Sequence, residues 1–136
     1  MTTIWFVDDD EEMSEAISLM LGLMNYEMRH FAEARLAAQA LQEDALPDLL
    51  MLDISMPEVT GLDLLEFVRR SDQWNVLPIL MLSSEAVDAQ IDRALGLGAD
   101  GFVGKPATME ELETAIQTAL KKRHPPTGDD LENSSI

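Results

Sequence analysis

Leu49-Leu50-Met51-Leu52-Asp53 is the stretch that decides the fold. Four consecutive aliphatic side chains fit a strand buried on both faces of a parallel sheet, where neither side is left to solvent and alternation disappears. The fifth residue is an acid, placed where that strand runs out. In open α/β sheets ligands bind beyond the carboxyl ends of the strands. Asp53 therefore either opens the turn Asp53-Ile54-Ser55-Met56-Pro57, in which Pro57 biases Met56 towards an extended conformation, or stands where chemistry is placed.

Outward from this stretch the pattern repeats. Ile79-Leu80-Met81-Leu82 is a second doubly apolar run, and it ends in Ser83-Ser84, so that a hydroxyl takes the place of the carboxylate. Thr3 to Val7 is a third, running directly into Asp8-Asp9-Asp10-Glu11-Glu12, and Phe102-Val103 is a short one leading to Lys105-Pro106. Tyr26 to His30 alternates instead, with Tyr26, Met28 and His30 on one side and Glu27 and Arg29 on the other, as expected of a half-exposed edge strand.

Between these strands the period changes to that of a helix. Met13, Ala16, Ile17, Met20, Leu21 and Met24 share one face of a helix ending near Asn25. Glu33 to Glu43 turns Leu36, Ala37, Ala40 and Leu41 inward. Leu62 to about Ser71 does the same with Leu64, Leu65 and Val68, and closes on the cationic Arg69-Arg70. Val87, Ile91, Ala94 and Leu95 mark a fourth helix, stopped by Leu97-Gly98-Ala99-Asp100-Gly101, where glycine can take the left-handed C-terminal position. Met109, Leu112, Ile116, Ala119 and Leu120 line a last helix that Thr108 can cap. Strands alternating with helices in this way mean an α/β fold, a five-stranded parallel sheet wound on both faces by five helices. Residues 1–123 form the expected domain, and the tail 124–136, with Pro125-Pro126, Gly128, acids and serines, is expected to be disordered.

Composition bounds the function. At 136 residues the chain forms one domain with a core large enough to need no disulfide or structural metal. Cys is absent, which excludes thiol catalysis and Cys-ligated metal, and His30 and His124 are too far apart to suggest a metal motif, so both are expected at the surface. The N-terminus lacks the basic start of a signal peptide, and no run approaches the ~18 apolar residues of a membrane span. A cytoplasmic protein is expected. Nine Lys and Arg against 26 Asp and Glu give a net charge of −17, which opposes contact with nucleic acid or an anionic membrane. The basic Lys121-Lys122-Arg123 reads as the cationic end of the last helix.

If the sheet is ordered 2-1-3-4-5, the ends carrying Asp8-Asp9, Asp53, Ser83 and Lys105 are neighbours, and the switch point falls between the acids. Two carboxylates ~4 Å apart repel by about 4 kcal/mol at an effective dielectric of 20, so the cluster needs a cation or raised pKa values. Oxygen-only ligands beside solvent suit Mg²⁺. A metal alone requires neither Ser83 nor Lys105, whereas a phosphoryl group on Asp53 requires a hydroxyl donor, an ammonium and Mg²⁺ to balance its charge.

With these residues in place the sequence resembles the receiver domain of two-component response regulators, the CheY-like phosphorelay domains. The matching stretches are Val7-Asp8-Asp9, Pro47 to Pro57 with Gly61, Pro78 to Ser84, and Gly98 to Pro106, within a resemblance that runs from residue 3 to about 122. The resemblance implies the strand order 2-1-3-4-5 of the flavodoxin-like fold. It implies that Asp53 accepts a phosphoryl group from a sensor histidine kinase or a phosphotransfer protein, and that Asp9 binds Mg²⁺ directly and Asp8 through water. Asp53 and the backbone carbonyl of Ser55 complete the ligands. Ser83 becomes the switch hydroxyl, Lys105 its cationic partner, and Phe102 the aromatic residue whose rotamer changes. Phosphorylation then alters the surface around the fourth helix, the fifth strand and the fifth helix, towards a downstream output protein or a second copy of the chain. The family usually has a cis bond at the position of Lys105-Pro106.

Two positions depart from the common pattern: Ala107 stands where Phe often follows Lys-Pro, and Ser84 where Ala or Gly is usual. Ser55, Ser84 and Glu85 are expected to govern access of water to Asp53. Such a domain is a signalling switch that catalyses its own phosphorylation and dephosphorylation, not an enzyme acting on a metabolite. The alternatives are a phosphorelay intermediate that passes the phosphoryl group to a histidine phosphotransfer protein, and a receiver detached from an effector domain. A flavin-binding relative of the same strand order fits badly, because three aspartates follow the first strand where a phosphate would need donors and glycines.

Overall fold

The computed structural model describes residues 2–43, 46–54, 60–83 and 88–123. Five strands, β1 (Thr3–Val7), β2 (Glu27–Phe31), β3 (Leu49–Asp53), β4 (Ile79–Ser83) and β5 (Gly101–Gly104), alternate with α1 (Glu11–Leu23), α2 (Ala34–Glu43), α3 (Gly61–Arg70), α4 (Asp88–Gly96) and α5 (Met109–Arg123). All pairings are parallel, in the order β2-β1-β3-β4-β5. The fully apolar runs are the inner strands and the alternating run is an edge strand, as sheet burial requires.

The sheet divides the core in two. Ile4, Phe6, Leu49, Met51, Leu80 and Leu82 point to the face covered by α1 and α5, where they meet Ile17, Leu21, Leu112, Ile116 and Ala119. Trp5, Val7, Leu50, Leu52, Ile79 and Met81 point the other way, to Ala37, Leu41, Leu64, Val68 and Ala94 of α2, α3 and α4. Helices on both faces follow from right-handed crossovers between parallel strands. At the β2 edge the Arg29 guanidinium lies over the rings of Trp5 and Phe31, at 5.3 and 4.7 Å, and shields their outer side.

The helix faces differ from the sequence expectation at single positions. Ala16 is exposed and Ser14 is buried in its stead; in α2, Leu36 is exposed and Ala34 turns inward. Leu95 and Met109 are exposed too, each at the margin of a stripe whose centre is Ala94 or Leu112. A 3.6-residue period leaves the stripe's edges undetermined to about one position, and packing against a particular strand settles them. Val87 lies outside the described residues. Helix ends follow local chemistry. Thr60 caps α3 in a reciprocal box with Asp63, and Thr108 caps α5 in the same way with Glu111. Asn25 takes φ 65° to close α1, and Gly98 takes φ 107° after α4.

Gly61 marks a close approach of α3 to the central strand. A Cβ there would overlap the carbonyl oxygen of Asp53 and come within 2.8 Å of its carbonyl carbon. Backbone cannot swing aside as a side-chain end can. Gly61→Ala is therefore expected to lower stability by about 3 kcal/mol, read as a lower urea midpoint at unchanged slope. A loss below about 1 kcal/mol would mean that α3 slides freely along the strand.

At the amino end of β4 and β5, Asp100 is buried and fully engaged. One carboxylate oxygen accepts from Arg69 Nη2 and from the backbone N–H of Ile79, both at 2.9 Å, and the other accepts from Arg123 Nε. Both guanidinium groups also donate to the Gly98 carbonyl. Arg123 thus has a specific partner, beyond the favourable position at a helix C-terminus that the sequence suggests.

Candidate functional site

Parallel strands in register deliver their carboxyl ends to one edge. Val7 pairs with Leu52, Asp53 with Leu82, and Ser83 with Gly104, so the residues that follow β1 and β5 flank Asp53 and Ser83. Asp8, Asp53 and Ser83 are buried there, whereas Asp9 is exposed. Carboxylate oxygens of Asp8, Asp9 and Asp53 all lie within 4.8 Å of one another. The structure therefore brings together the three acids expected from sequence.

Lys105 reaches into the cluster from the end of β5. Its ammonium donates to Asp8 Oδ2 at 2.7 Å and lies 3.5 Å from Asp53 Oδ2, with its side chain only 8 % exposed. The Lys105 backbone N–H donates to the Ser83 carbonyl at 2.8 Å, which ties the lysine's strand end to the serine's. The Lys105-Pro106 bond is cis, as the resemblance implies. Ala107 is buried among Ile4, Leu112 and Ile116 beneath α5, filling with a methyl group the place where Phe is frequent. Phe102 is half-buried and packs against the core on the α2, α3 and α4 face. Ser55, Ser84 and Glu85 lie outside the described residues.

Among the described residues three carboxylates face one ammonium. Like charges at these distances repel by several kcal/mol at intermediate dielectric, and the lysine offsets only one of them. An ammonium already bridging two of the acids shows that the cluster gathers positive charge. Its donors are all oxygen, and one acid opens to solvent. Such a set fits a hard divalent ion that keeps part of its water, Mg²⁺ before Zn²⁺ or a softer metal. Asp53, central and buried beside a cation, is placed as a carboxylate nucleophile could be.

The loop carrying the acids is itself fixed. Asp10 Oδ1 caps α1 through the N–H of Met13, and the Asp10 N–H donates to Asp8 Oδ1 at 2.9 Å. His30, expected at the surface, is half-buried instead; its Nε2 lies 2.7 Å from the Asp8 carbonyl and 2.8 Å from Ser14 Oγ. The sequence signal was present, since His30 alternates onto the inward side of β2 and Ser14 falls at helical spacing from Ile17 and Leu21. Two polar residues on apolar stripes ask for mutual satisfaction.

Comparison with known proteins bears on this geometry. A family model described as the response regulator receiver domain matches residues 4–117. The chain belongs to that family. Among curated relatives, the transcriptional regulatory protein CpxR of Escherichia coli (strain K12) is 36% identical over 128 residues, covering 91% of this chain and 51% of CpxR. The KDP operon transcriptional regulatory protein KdpE of the same organism is 32% identical over 132 residues, 96% of this chain and 56% of KdpE. The receiver domain thus spans about half the length of these relatives. Among solved structures, the chemotaxis protein CheY4 of Vibrio cholerae superposes with a TM-score of 0.79 at 31% identity, over 88% of this chain and 98% of that one. The likeness extends to the five-stranded order described above. A receiver domain is a phosphoacceptor signalling module, and the flavin-binding reading is set aside.

Proposed function

We propose that this receiver domain is switched by phosphorylation of Asp53. A carboxylate oxygen of Asp53 attacks the phosphorus of a phosphohistidine on a sensor histidine kinase or phosphotransfer protein. The new P–O bond forms as the P–N bond breaks, and the departing ring nitrogen keeps the electron pair. Such a transfer needs positioning and charge balance more than covalent help from the protein. Mg²⁺, when bound, supplies positive charge to the phosphoryl oxygens, and Asp8, Asp9, Asp53 and the Ser55 carbonyl would hold it.

The observation that carries this reading is the Lys105 ammonium, seated between Asp8 and Asp53 at the one edge where Ser83 also ends. Once Asp53 carries a phosphoryl group, Lys105 pairs with it and the Ser83 hydroxyl donates to one of its oxygens. Because the Lys105 backbone is bonded to Ser83, both movements reach β5 and Phe102 together. The altered surface around α4, β5 and α5 would then meet an output protein or a second copy. Among the described residues no helix is long and apolar enough to cross a membrane.

The division of labour is testable. Asp9→Ala is expected to lose measurable Mg²⁺ binding. Lys105→Ala is expected to keep it, with equal or higher affinity for want of a competing cation, yet to show no change around Phe102 in NMR spectra when beryllofluoride is added. Equal loss of metal by both variants would show that the lysine builds the metal site and does not read the phosphoryl group.

A further inference from the structure

The metal-facing loop is held from outside by a second pair of polar side chains on different elements. The Asp8 carbonyl belongs to the peptide that leads into Asp9, so whatever fixes its plane fixes the direction in which Asp9 leaves β1. That carbonyl accepts from His30 Nε2 at 2.7 Å. The Ser14 hydroxyl donates to the Asp10 carbonyl at 2.9 Å, which commits its hydrogen. Its oxygen then remains to accept, and His30 Nε2 lies 2.8 Å away. A single Nε2–H is thus shared between the Asp8 carbonyl and Ser14 Oγ, and the ring is the Nε2-protonated tautomer or the cation. Asp9 sits between two clamped neighbours, with Asp8 tied to β2 through His30 and Asp10 tied to α1 through Ser14.

We propose that His30, with Ser14, is a positioning residue for divalent-cation binding: it pre-orders the Asp8-Asp9-Asp10 turn so that the exposed Asp9 carboxylate need not be immobilised against its neighbours' repulsion when the ion arrives. The inference rests on the metal site of the proposed function. His30 itself points to the peptide and not to the ion, so it acts through Asp9. Loops that bind without prior order lose affinity to the entropy of fixing backbone and side chain. Removing the shared hydrogen bond is expected to weaken Mg²⁺ binding roughly three- to tenfold.

The test compares Mg²⁺ dissociation constants by calorimetry on the full chain with thermal midpoints. His30→Phe fills the space without a donor, and His30→Gln places an amide N–H near the position of Nε2. Weaker binding by His30→Phe, with recovery by His30→Gln at a similar thermal midpoint, supports the proposal. So does a combined Ser14→Ala, His30→Phe variant no weaker than the single His30→Phe, since the two act as one brace. Unchanged affinity in His30→Phe overturns the brace while leaving the metal site standing. Equal weakening by Phe and Gln also overturns it, because packing and not the hydrogen bond would be responsible. Absence of Mg²⁺ binding in the unsubstituted protein overturns both the brace and the metal site it serves.

Discussion

Asp53→Asn is expected to remain unmodified when incubated with acetyl phosphate and Mg²⁺, while the unsubstituted chain gains one phosphoryl group in its intact mass. The amide is a far poorer nucleophile than the carboxylate, and among the described residues neither of the other two acids of the cluster stands in the same place: Asp8 is held by Lys105 at 2.7 Å and by the Asp10 N–H, and Asp9 opens to solvent. The substituted protein should be no less stable. A neutral group at 53 relieves repulsion from Asp8 and Asp9 and weakens the contact with Lys105, at 3.5 Å. Labelling of Asp53→Asn at the unsubstituted rate would move the phosphoacceptor to another residue.

The second large effect lies at the opposite edge. Asp100→Ala is expected to cost about 3–5 kcal/mol, because it leaves two guanidinium groups without the buried carboxylate they share. Burial pushes the Arg69 guanidinium down to about 10, with the charge of Arg123 acting in the same direction and Asp100 opposing both. A base whose pKa falls on folding destabilises the fold wherever it is charged; that cost is fully present below about 10 and relieved as the pH rises from there towards the ordinary arginine range. At neutral pH the arginine is cationic, so Asp100 is what makes its burial tolerable. Urea titration of Asp100→Ala measures the loss. The part of the protein that stays folded should still accept a phosphoryl group, since Asp100 precedes β5 at the amino end of the sheet. A loss under about 1 kcal/mol would mean that water reaches both arginines once the acid is gone.

The fold was legible because burial writes itself into the strands. Ile79 to Leu82 and Leu49 to Leu52 lie on inner strands covered on both faces, and no alternation remained to confuse them with edge strands. The site was legible for a related reason: in a parallel sheet, strand ends are co-located by topology, so the strand order 2-1-3-4-5 is enough to bring Asp8, Asp53, Ser83 and Lys105 together. The less legible features depend on neighbours distant in sequence. Asp100 read as part of a glycine-rich stop, but its partners are 31 and 23 residues away. Gly61 matched a pattern, yet its physical reason, the carbonyl of Asp53 against its Cα, needs the α3 approach to be seen. His30 alternates onto the inward side of β2, but its partners, Ser14 and the Asp8 carbonyl, belong to other elements, and nothing local to β2 names them.

The most direct measurement is reductive trapping. After incubation with acetyl phosphate and Mg²⁺, borohydride converts an aspartyl phosphate to homoserine, and peptide mass spectrometry locates it. The account predicts homoserine at position 53 alone, absent when Mg²⁺ is chelated beforehand. Homoserine at position 8 or 9, or a phosphoryl group that resists borohydride and maps to Ser83, would contradict it.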